Sequence, residues 1–318
     1  MSIKKVVAVN NPHGELIIEK EGIEAAGGEL VLVYPQTEDE LIESVKDADV
    51  IAFTATPITA RVIDSLEKCK LIIRYGVGYD NVDWKAAAAK GIYVCNAQTY
   101  GTHDVGEHAA ALLMAASKLI AQNDAIIRKD GWGIAGQGTR LYGKTIGYIG
   151  LGRIARVTCS VTNGLGMKAI TYDPYASKEI LDEYKATSVD LDTLLKESDF
   201  ISVHAPLTEE SRHMLSTEQF RKMKNTAVVI NTSRGALIDE EALIKALEDG
   251  EIAGAGLDVY EKEPFDADSK LRFMNNVVLT SHIAFNTAEA MIDLHKEVTA
   301  DIVRVLKGER PVNVVNGL

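Results

Sequence analysis

The chain has 318 residues, a length with room for about two domains or one large α/β unit. Lys plus Arg number 34 against 46 Asp plus Glu, a net charge of −12 at neutral pH, so no global positive field would draw in nucleic acid or an anionic membrane. With 46% hydrophobic and 25% charged residues, the composition is that of a globular protein with a large core rather than a disordered chain.

The N-terminal MSIKKVVAVNN runs straight into a strand-like stretch, with no long apolar region or small-residue cleavage site, and a cytoplasmic location is expected. Strand-like runs recur at 6–10, 49–55, 71–76 and 91–96, separated by amphipathic segments such as 38–45 and 84–90. That alternation predicts a parallel sheet with right-handed crossovers. From Val105 to Arg128, Ala and Leu recur at helical spacing, which predicts one long helix linking two domains. Its longest strictly apolar run, Ala109 to Ala116, falls far short of the roughly 18 residues of a membrane span. A second alternation follows, with strands at 145–150, 169–173, 200–205, 227–231, 254–259 and 277–282, and predicts a complete doubly wound sheet. The tail reads as a helix, 288–306, and a final strand, 311–315. Cys69, Cys95 and Cys159 are odd in number and widely spaced, without a CxxC pair or a histidine cluster. They predict buried reduced thiols, with no disulfide framework and no metal site.

Gly150-Leu151-Gly152-Arg153-Ile154-Ala155 is a GxGxxA form of the dinucleotide fingerprint. It follows the strand-like TIGYI and opens a segment with Ile154, Val157, Val161 and Leu165 on one helical face, the strand-to-helix turn that a pyrophosphate site requires. Gly150 permits the tight turn, Gly152 removes a blocking side chain, and Ala155 lets helix and strand close up. Arg153 and Ile154 lie in the same turn and are taken as cofactor contacts with the glycines. After a gap of 17 residues, 156–172, Asp173 ends the next strand, where a carboxylate can accept both adenine-ribose hydroxyls. A 2′-phosphate would meet like charge there, and the following Pro174 and Tyr175 supply no arginine, so NAD is expected and NADP disfavoured.

Ligands of open α/β sheets bind outside the carboxyl ends of the strands. The predicted strands of the second unit deliver Thr232-Ser233-Arg234-Gly235, Asp258 with Glu261 and Glu263, and His282 to that rim. These are the groups that reduction of a 2-keto acid needs. Arg clamps a carboxylate, His gives a proton to the carbonyl oxygen, and a carboxylate supports the imidazolium.

Seven stretches make the sequence similar, over essentially its whole length, to the D-isomer-specific 2-hydroxyacid dehydrogenases: RYGVGYDNVD (74–83), GKTIGYIGLGRIA (143–155), YDPY (172–175), SVHAPLTEES (202–211), INTSRGALIDEEAL (230–243), GLDVYEKEP (256–264) and LTSHIAF (279–285). The resemblance implies an α/β protein of two doubly wound parallel-sheet domains. A Rossmann NAD-binding domain, 101–286, would be inserted in a smaller flavodoxin-like substrate domain made of 1–100 and 287–318, with closure by a hinge. It implies that Arg234 orients the substrate carboxylate and carbonyl, that His282 is the acid/base, and that Glu263, which directly precedes Pro264, hydrogen-bonds His282. Asp258 would sit near the nicotinamide end. His204, Ala205, Pro206, Thr232 and Ser233 would line the cofactor groove. The backbone amides of Val77 and Gly78 would bind the substrate carboxylate. Glu107 and His108 match the family and are read as structural.

The sequence His282-Ile283-Ala284-Phe285 resembles the lactate and hydroxyisocaproate branch, and Tyr100 fits that branch as a substrate contact. The stretch Phe53-Thr54-Ala55-Thr56 has no arginine where relatives acting on 3-phosphoglycerate place them, and their C-terminal extension is absent, so an unphosphorylated substrate is expected. Pocket positions lie around Thr54 to Thr59, Tyr100 and Phe285. The expected function is NAD-dependent interconversion of a small 2-keto acid and its (R)-2-hydroxy acid, in a homodimer packed through the Ala-rich helix. The alternatives are a formate- or phosphite-type dehydrogenase on the same scaffold, and an NAD-sensing binding protein like the family's corepressors. Glu263 opposes formate, whose relatives pair the histidine with glutamine. His103-Asp104 finds no physical account in the sequence.

Overall fold

Parallel strands buried on both faces need near-continuous apolar runs, and the short β-branched runs of this chain supply them. The computed structural model describes residues 3–12 and 14–318 and divides into two units, Met1–Gly101 with Thr287–Leu318, and Thr102–Asn286.

The first unit contains β1 (Lys4–Val9), α1 (Ile17–Ala25), β2 (Gly28–Val33), α2 (Glu38–Val45), β3 (Val50–Phe53), α3 (Ala60–Asp64), β4 (Leu71–Arg74), α4 (Trp84–Ala89) and β5 (Tyr93–Asn96). Its five strands are parallel in the order β2-β1-β3-β4-β5, that of flavodoxin-like sheets. The C-terminal helix, Ala288–Leu306, returns to this unit. Its Leu294, Val298, Ile302 and Leu306 share one core with Val6, Ala8 and Ile73.

Two features depart from the sequence reading. β2 was not expected, because Gly28–Val33 is an edge strand in which no residue is fully buried and which includes the exposed Glu29. The strand expected at 311–315 is absent. Val314 makes one isolated antiparallel bridge with Cys95, while the buried Asp301 carboxylate accepts the amides of Val312 and Asn313 at 2.7 and 3.1 Å. Those amides are thereby lost to a ladder, and Pro311 brings none.

The second unit contains α5 (Thr102–Lys118), α6 (Ile120–Asp130), β6 (Thr145–Ile149), α7 (Arg153–Gly164), β7 (Lys168–Tyr172), α8 (Lys178–Glu183), β8 (Ala186–Ser188), α9 (Leu191–Glu197), β9 (Phe200–Val203), α10 (Thr217–Lys222), β10 (Val228–Asn231), α11 (Glu240–Glu248), β11 (Gly254–Leu257) and β12 (Val277–Leu279). Its seven parallel strands run β12-β11-β10-β9-β6-β7-β8. Counted from β6 this is the Rossmann order extended by one strand. β8, a three-residue edge strand of sequence ATS, carries too little apolar signal to be read in advance.

The single helix expected over 105–128 is two, bent by 59° at Leu119, whose φ is +55°. The cause lies in the returning chain. Thr139 donates to the Ser117 carbonyl at 2.7 Å, taking an acceptor that a continuous helix would use, and Asn123 Nδ2 donates to the Leu119 carbonyl at 2.7 Å. Among the described residues no single helix is long and apolar enough to cross a membrane. His103 and Asp104 fall in the first turn of α5 rather than in a linker, where an acidic residue favours the helix dipole.

The deepest face of α7 lies beside the apolar stripe seen in the sequence. Ala155, Thr158, Cys159 and Thr162 are buried, whereas Ile154, Val157, Val161 and Leu165 are half-buried. Two threonines can occupy a core because their hydroxyls are partnered: Thr158 Oγ1 donates to the Gly106 carbonyl at 3.0 Å, and Thr162 Oγ1 lies 2.7 Å from Tyr148 Oη. All three cysteines are buried. Burial pushes the Cys69 thiol up to about 12 and Cys159 to about 11, and raises Cys95 as well.

α5 and α7 cross at Gly106, where a Cβ would stand 2.6 Å from Val157 Cβ and 2.9 Å from the Ile154 carbonyl. Helix propensity alone favours Ala over Gly by about 1 kcal/mol, but overpacking at such a crossing costs about 1–3 kcal/mol. Gly106→Ala is therefore expected to lower the urea midpoint; an unchanged or higher midpoint would contradict the close crossing.

Candidate active site

Strand order in the second sheet reverses between β6 and β9, the place where open α/β sheets take ligands. Gly150 leaves β6 there at φ +88°, and a Cβ on it would lie 3.0 Å from the His204 carbonyl oxygen, so glycine alone fits the turn. Gly152 is the N-cap of the twelve-residue α7. Among the described residues no side chain caps this helix, and a Cβ at Gly152 would meet nothing within 4 Å. The first-turn amides thus open onto clear space, a cradle with the partial positive charge that a pyrophosphate needs. Arg153 is exposed and Ile154 half-buried in that turn.

Asp173, just past β7, is tied to the same turn. Its Oδ2 accepts from the Leu151 amide at 2.7 Å and its Oδ1 from the Tyr175 amide at 2.8 Å, and each oxygen keeps a lone pair for a ribose hydroxyl. Past β10, Thr232 is buried and its hydroxyl has no partner among the described residues, while Ser233 Oγ donates to the Val203 carbonyl at 2.8 Å. The open cradle, the strand-end acid and the orphaned hydroxyl fit a dinucleotide. His204 is arranged differently from its neighbours Ala205, half-buried, and Pro206, exposed. Its backbone faces Gly150, while its imidazole lies over Tyr148 with Nε2 2.8 Å from Ser202 Oγ. Burial pushes its pKa down to about 4.

The β10 and β11 loops meet backbone to backbone. A Cβ on Gly235 would fall 1.8 Å from the Tyr260 carbonyl carbon, so glycine alone lets the Arg234 loop run against Tyr260–Glu261. Arg234 Nη1 donates to the Ser233 carbonyl at 2.8 Å, and Asn231 Nδ2 to the Arg234 carbonyl at 2.9 Å. On the other side a cis peptide joins Glu263 to Pro264. Glu263 Oε1 accepts from the Tyr260 amide at 3.1 Å, and its Oε2 lies 2.7 Å from His282 Nδ1. Burial works to raise the Glu263 pKa, but the His282 hydrogen bond and the positive charges of His282 and Arg234 outweigh it and hold the carboxyl below its usual value.

His282 has φ +55°, a left-handed conformation that costs a non-glycine residue on the order of 1 kcal/mol. Asp258, fully buried at the end of β11, holds it there. The Asp258 carbonyl accepts from the His282 amide at 2.7 Å; its carboxylate accepts from the Ile283 amide at 3.0 Å, the Ala284 amide at 2.9 Å and Thr280 Oγ1 at 2.6 Å. Tyr260 Oη donates to the Thr280 carbonyl at 2.7 Å. The structure thus brings Arg234, Glu263 and His282 onto adjoining loops and gives Asp258 a partner set made wholly of protein groups.

In the first unit, the loop after β4 has its carbonyls held from one side. Ala97 N donates to the Gly76 carbonyl at 3.2 Å, Asn96 Nδ2 to the Val77 carbonyl, and Arg74 Nη1 to the Gly78 carbonyl at 2.6 Å. In a trans peptide the N–H points opposite to the C=O. Fixing the Gly76 and Val77 carbonyls therefore directs the amides of Val77 and Gly78 the other way, and neither has a partner among the described residues. Tyr100 stands beside this loop, with its hydroxyl 3.9 Å from where a Gly76 Cβ would be. Glu297 of the C-terminal helix fixes the Tyr100 segment, its carboxylate accepting the amides of Gln98, Thr99 and Tyr100 and the Thr99 hydroxyl. The sequence reading missed Glu297, Asn96 and the loop-holding role of Asp258, since no spacing rule marks a carboxylate that serves backbone amides far away in the chain.

Residues 110–284 match the family described as D-isomer specific 2-hydroxyacid dehydrogenase, NAD binding domain. The glyoxylate reductase of Korarchaeum cryptofilum is 41% identical over 288 residues, covering 89% of this chain and 87% of that protein. The D-3-phosphoglycerate dehydrogenase of Methanocaldococcus jannaschii is 42% identical over 292 residues, which are 91% of this chain but 56% of that protein, so the chain spans little more than half of its length. Among solved structures, the D-lactate dehydrogenase of Aquifex aeolicus, complexed with NAD and lactic acid, superposes with a TM-score of 0.86 at 28% identity over 96% of each chain.

The low pKa of His204 fixes the sign of a stability change. Below 6.5 the unfolded chain takes up a proton there, while the folded protein does not until about pH 4, so stability falls as pH drops through that window, by up to about 2 kcal/mol at pH 5. His204→Gln is expected to lose less stability than the wild type between pH 7 and pH 5 in urea titrations. Equal losses would show that His204 is not held neutral by the fold.

Proposed function

Because the chain belongs to the D-isomer-specific 2-hydroxyacid dehydrogenase family and carries its NAD-binding domain, we propose that it reduces a small, unphosphorylated 2-keto acid to the (R)-2-hydroxy acid with NADH. The observation that carries this reading is the 2.7 Å contact of Glu263 Oε2 with His282 Nδ1, which leaves Nε2 as the ring nitrogen that exchanges a proton with substrate. When bound, NADH supplies the hydride that reaches C2. His282 delivers the proton to the carbonyl oxygen, and Glu263, kept ionised against its burial, stabilises the imidazolium until then. Arg234 clamps the carboxylate and polarises the carbonyl, and the outward amides of Val77 and Gly78 are of the kind that binds a carboxylate.

Residues Gly150, Gly152, Arg153 and Ile154 would hold the pyrophosphate, Asp173 the adenine ribose, and Thr232 and Ser233 with the 204–206 segment the rest of the dinucleotide. Asp173 next to Pro174 favours NAD over NADP by like-charge repulsion of a 2′-phosphate. The unit formed by 1–100 and 287–318 would carry the substrate. The absence of Lys and Arg from residues 54–59 supports an acid without phosphate, with Tyr100 contacting its side chain. In oxidation the neutral imidazole of His282 is the base, so the two directions need opposite protonation states.

A homodimer completes this reading, with the contact placed in the C-terminal part of the segment expected to form it. Ala109 and Ala110 of α5 are buried within their own unit. In contrast, none of the 11 residues of α6 is buried, and Trp132 and Ile134, just after it, are 87% and 82% exposed. An apolar surface of this kind suits a twofold contact with a second copy.

Purified protein is expected to consume NADH with one or more of pyruvate, 2-oxoisocaproate, phenylpyruvate, hydroxypyruvate, glyoxylate, oxaloacetate and 2-oxoglutarate. His282→Asn should lose about 10²- to 10⁴-fold in turnover, and reduction and oxidation should show opposite pH trends where chemistry limits the rate. Binding of NADH with silence across the panel would move the reading to phosphite-type chemistry or an NAD-gated binding role. Light scattering is expected to give twice the chain mass, and Trp132→Asp with Ile134→Asp about half of that; a wild-type monomer would exclude the dimer.

A further inference from the structure

We propose that His108 is a positioning residue for His282, acting through Thr280 and Asp258. The proposal rests on the reading of His282 as the acid/base. His108, on α5, has Nε2 3.0 Å from Thr280 Oγ1 and 3.7 Å from Asp258 Oδ1. A threonine hydroxyl has one hydrogen, and 2.6 Å from a buried carboxylate it goes to Asp258 Oδ1. Toward His108 the same oxygen can only accept, so His108 must carry hydrogen on Nε2. The chain of donors then has one direction, from His108 Nε2–H to Thr280 Oγ1–H to Asp258 Oδ1. That carboxylate oxygen also accepts the Ile283 amide.

The far end of this chain is the 282–284 segment. Asp258 is wholly buried, and among the described residues no lysine or arginine pairs with it. A buried carboxylate held by amides and one hydroxyl depends on each donor, because the dielectric around it is low. Without the Nε2 hydrogen of His108, nothing on the α5 side fixes the hydroxyl rotor of Thr280. The Asp258 oxygen that steadies Ile283 then loses its shortest bond, and His282 is released from its left-handed backbone conformation.

The test compares His108→Leu, which removes the donor, with His108→Gln, which returns an N–H near the place of Nε2, and adds Thr280→Val, Thr280→Ser and the His108→Leu/Thr280→Val double variant. Two readouts are used: steady-state turnover with NADH, and amide hydrogen exchange in protein without cofactor. His108→Leu is expected to slow kcat about tenfold and to speed exchange of the Ile283 and Ala284 amides by a similar factor, the size of one hydrogen bond to a charged group. Exchange in the β9 core should be unchanged, which separates this effect from poor folding. His108→Gln and Thr280→Ser should recover most of both signals. Thr280→Val should match His108→Leu, and the double variant should be no worse than either, as for two links of one chain. Equal impairment of the Gln and Leu variants, or losses that multiply in the double variant, would overturn the proposal. His282→Asn is measured alongside. Full turnover in that variant overturns the acid/base reading and the positioning role with it. Loss of turnover in His282→Asn, with wild-type turnover and exchange in His108→Leu, overturns the positioning role alone.

Discussion

A single buried negative charge sets the geometry on which the candidate active site depends. Asp258 gives up all contact with water, a cost that only a full set of donors offsets. Those donors come almost entirely from the five residues after β12, so the electrostatic need of one carboxylate dictates the path of the loop that carries His282. The strained backbone at His282 follows, and so does the approach of its Nδ1 to Glu263. Tyr260 reinforces the arrangement from both sides: its amide holds Glu263 Oε1 and its hydroxyl holds the Thr280 carbonyl.

The first unit reaches its own candidate site by other means. The Val77 and Gly78 amides face outward because two inward bonds, from the Ala97 amide and the Asn96 carboxamide, have taken the Gly76 and Val77 carbonyls. Peptide planarity converts an internal hydrogen-bond pattern into an external binding surface. Glu297 performs a related task for the Tyr100 segment, its carboxylate gathering three successive amides. In both units, carboxylates and carboxamides far away in sequence determine where loop backbones point.

That division explains which parts were legible in the sequence. Apolar runs and glycine spacing reveal buried central strands and the turn of Gly150 and Gly152, because both report sterics and burial over a few residues. The strand-end residues Arg234, Asp258 and His282 could be named for the same reason: the end of a buried strand is a local signal. Edge strands such as β2 and β8 escape, since half of their surface faces water. The buried face of α7 was not legible because Thr158 and Thr162 enter a core only when a distant acceptor or hydroxyl is waiting for them. The break at Leu119 is set by Thr139, twenty residues further on, and the fate of the tail by Asp301. Hydrogen bonds across long sequence separations leave no periodicity to read.

The C-terminal helix has a consequence for the order in which the protein takes shape during synthesis. Residues 102–286 are contiguous, so the second unit can be complete while the ribosome still holds residues 287–318. The first hundred residues emerge before that unit, yet Leu294, Val298, Ile302 and Leu306, which close one side of their core, are translated after it. The carboxylate of Glu297 arrives with them. The first unit, begun before the second, is therefore finished after it, and until then the cluster of Val6, Ala8 and Ile73 lacks the helix that completes it.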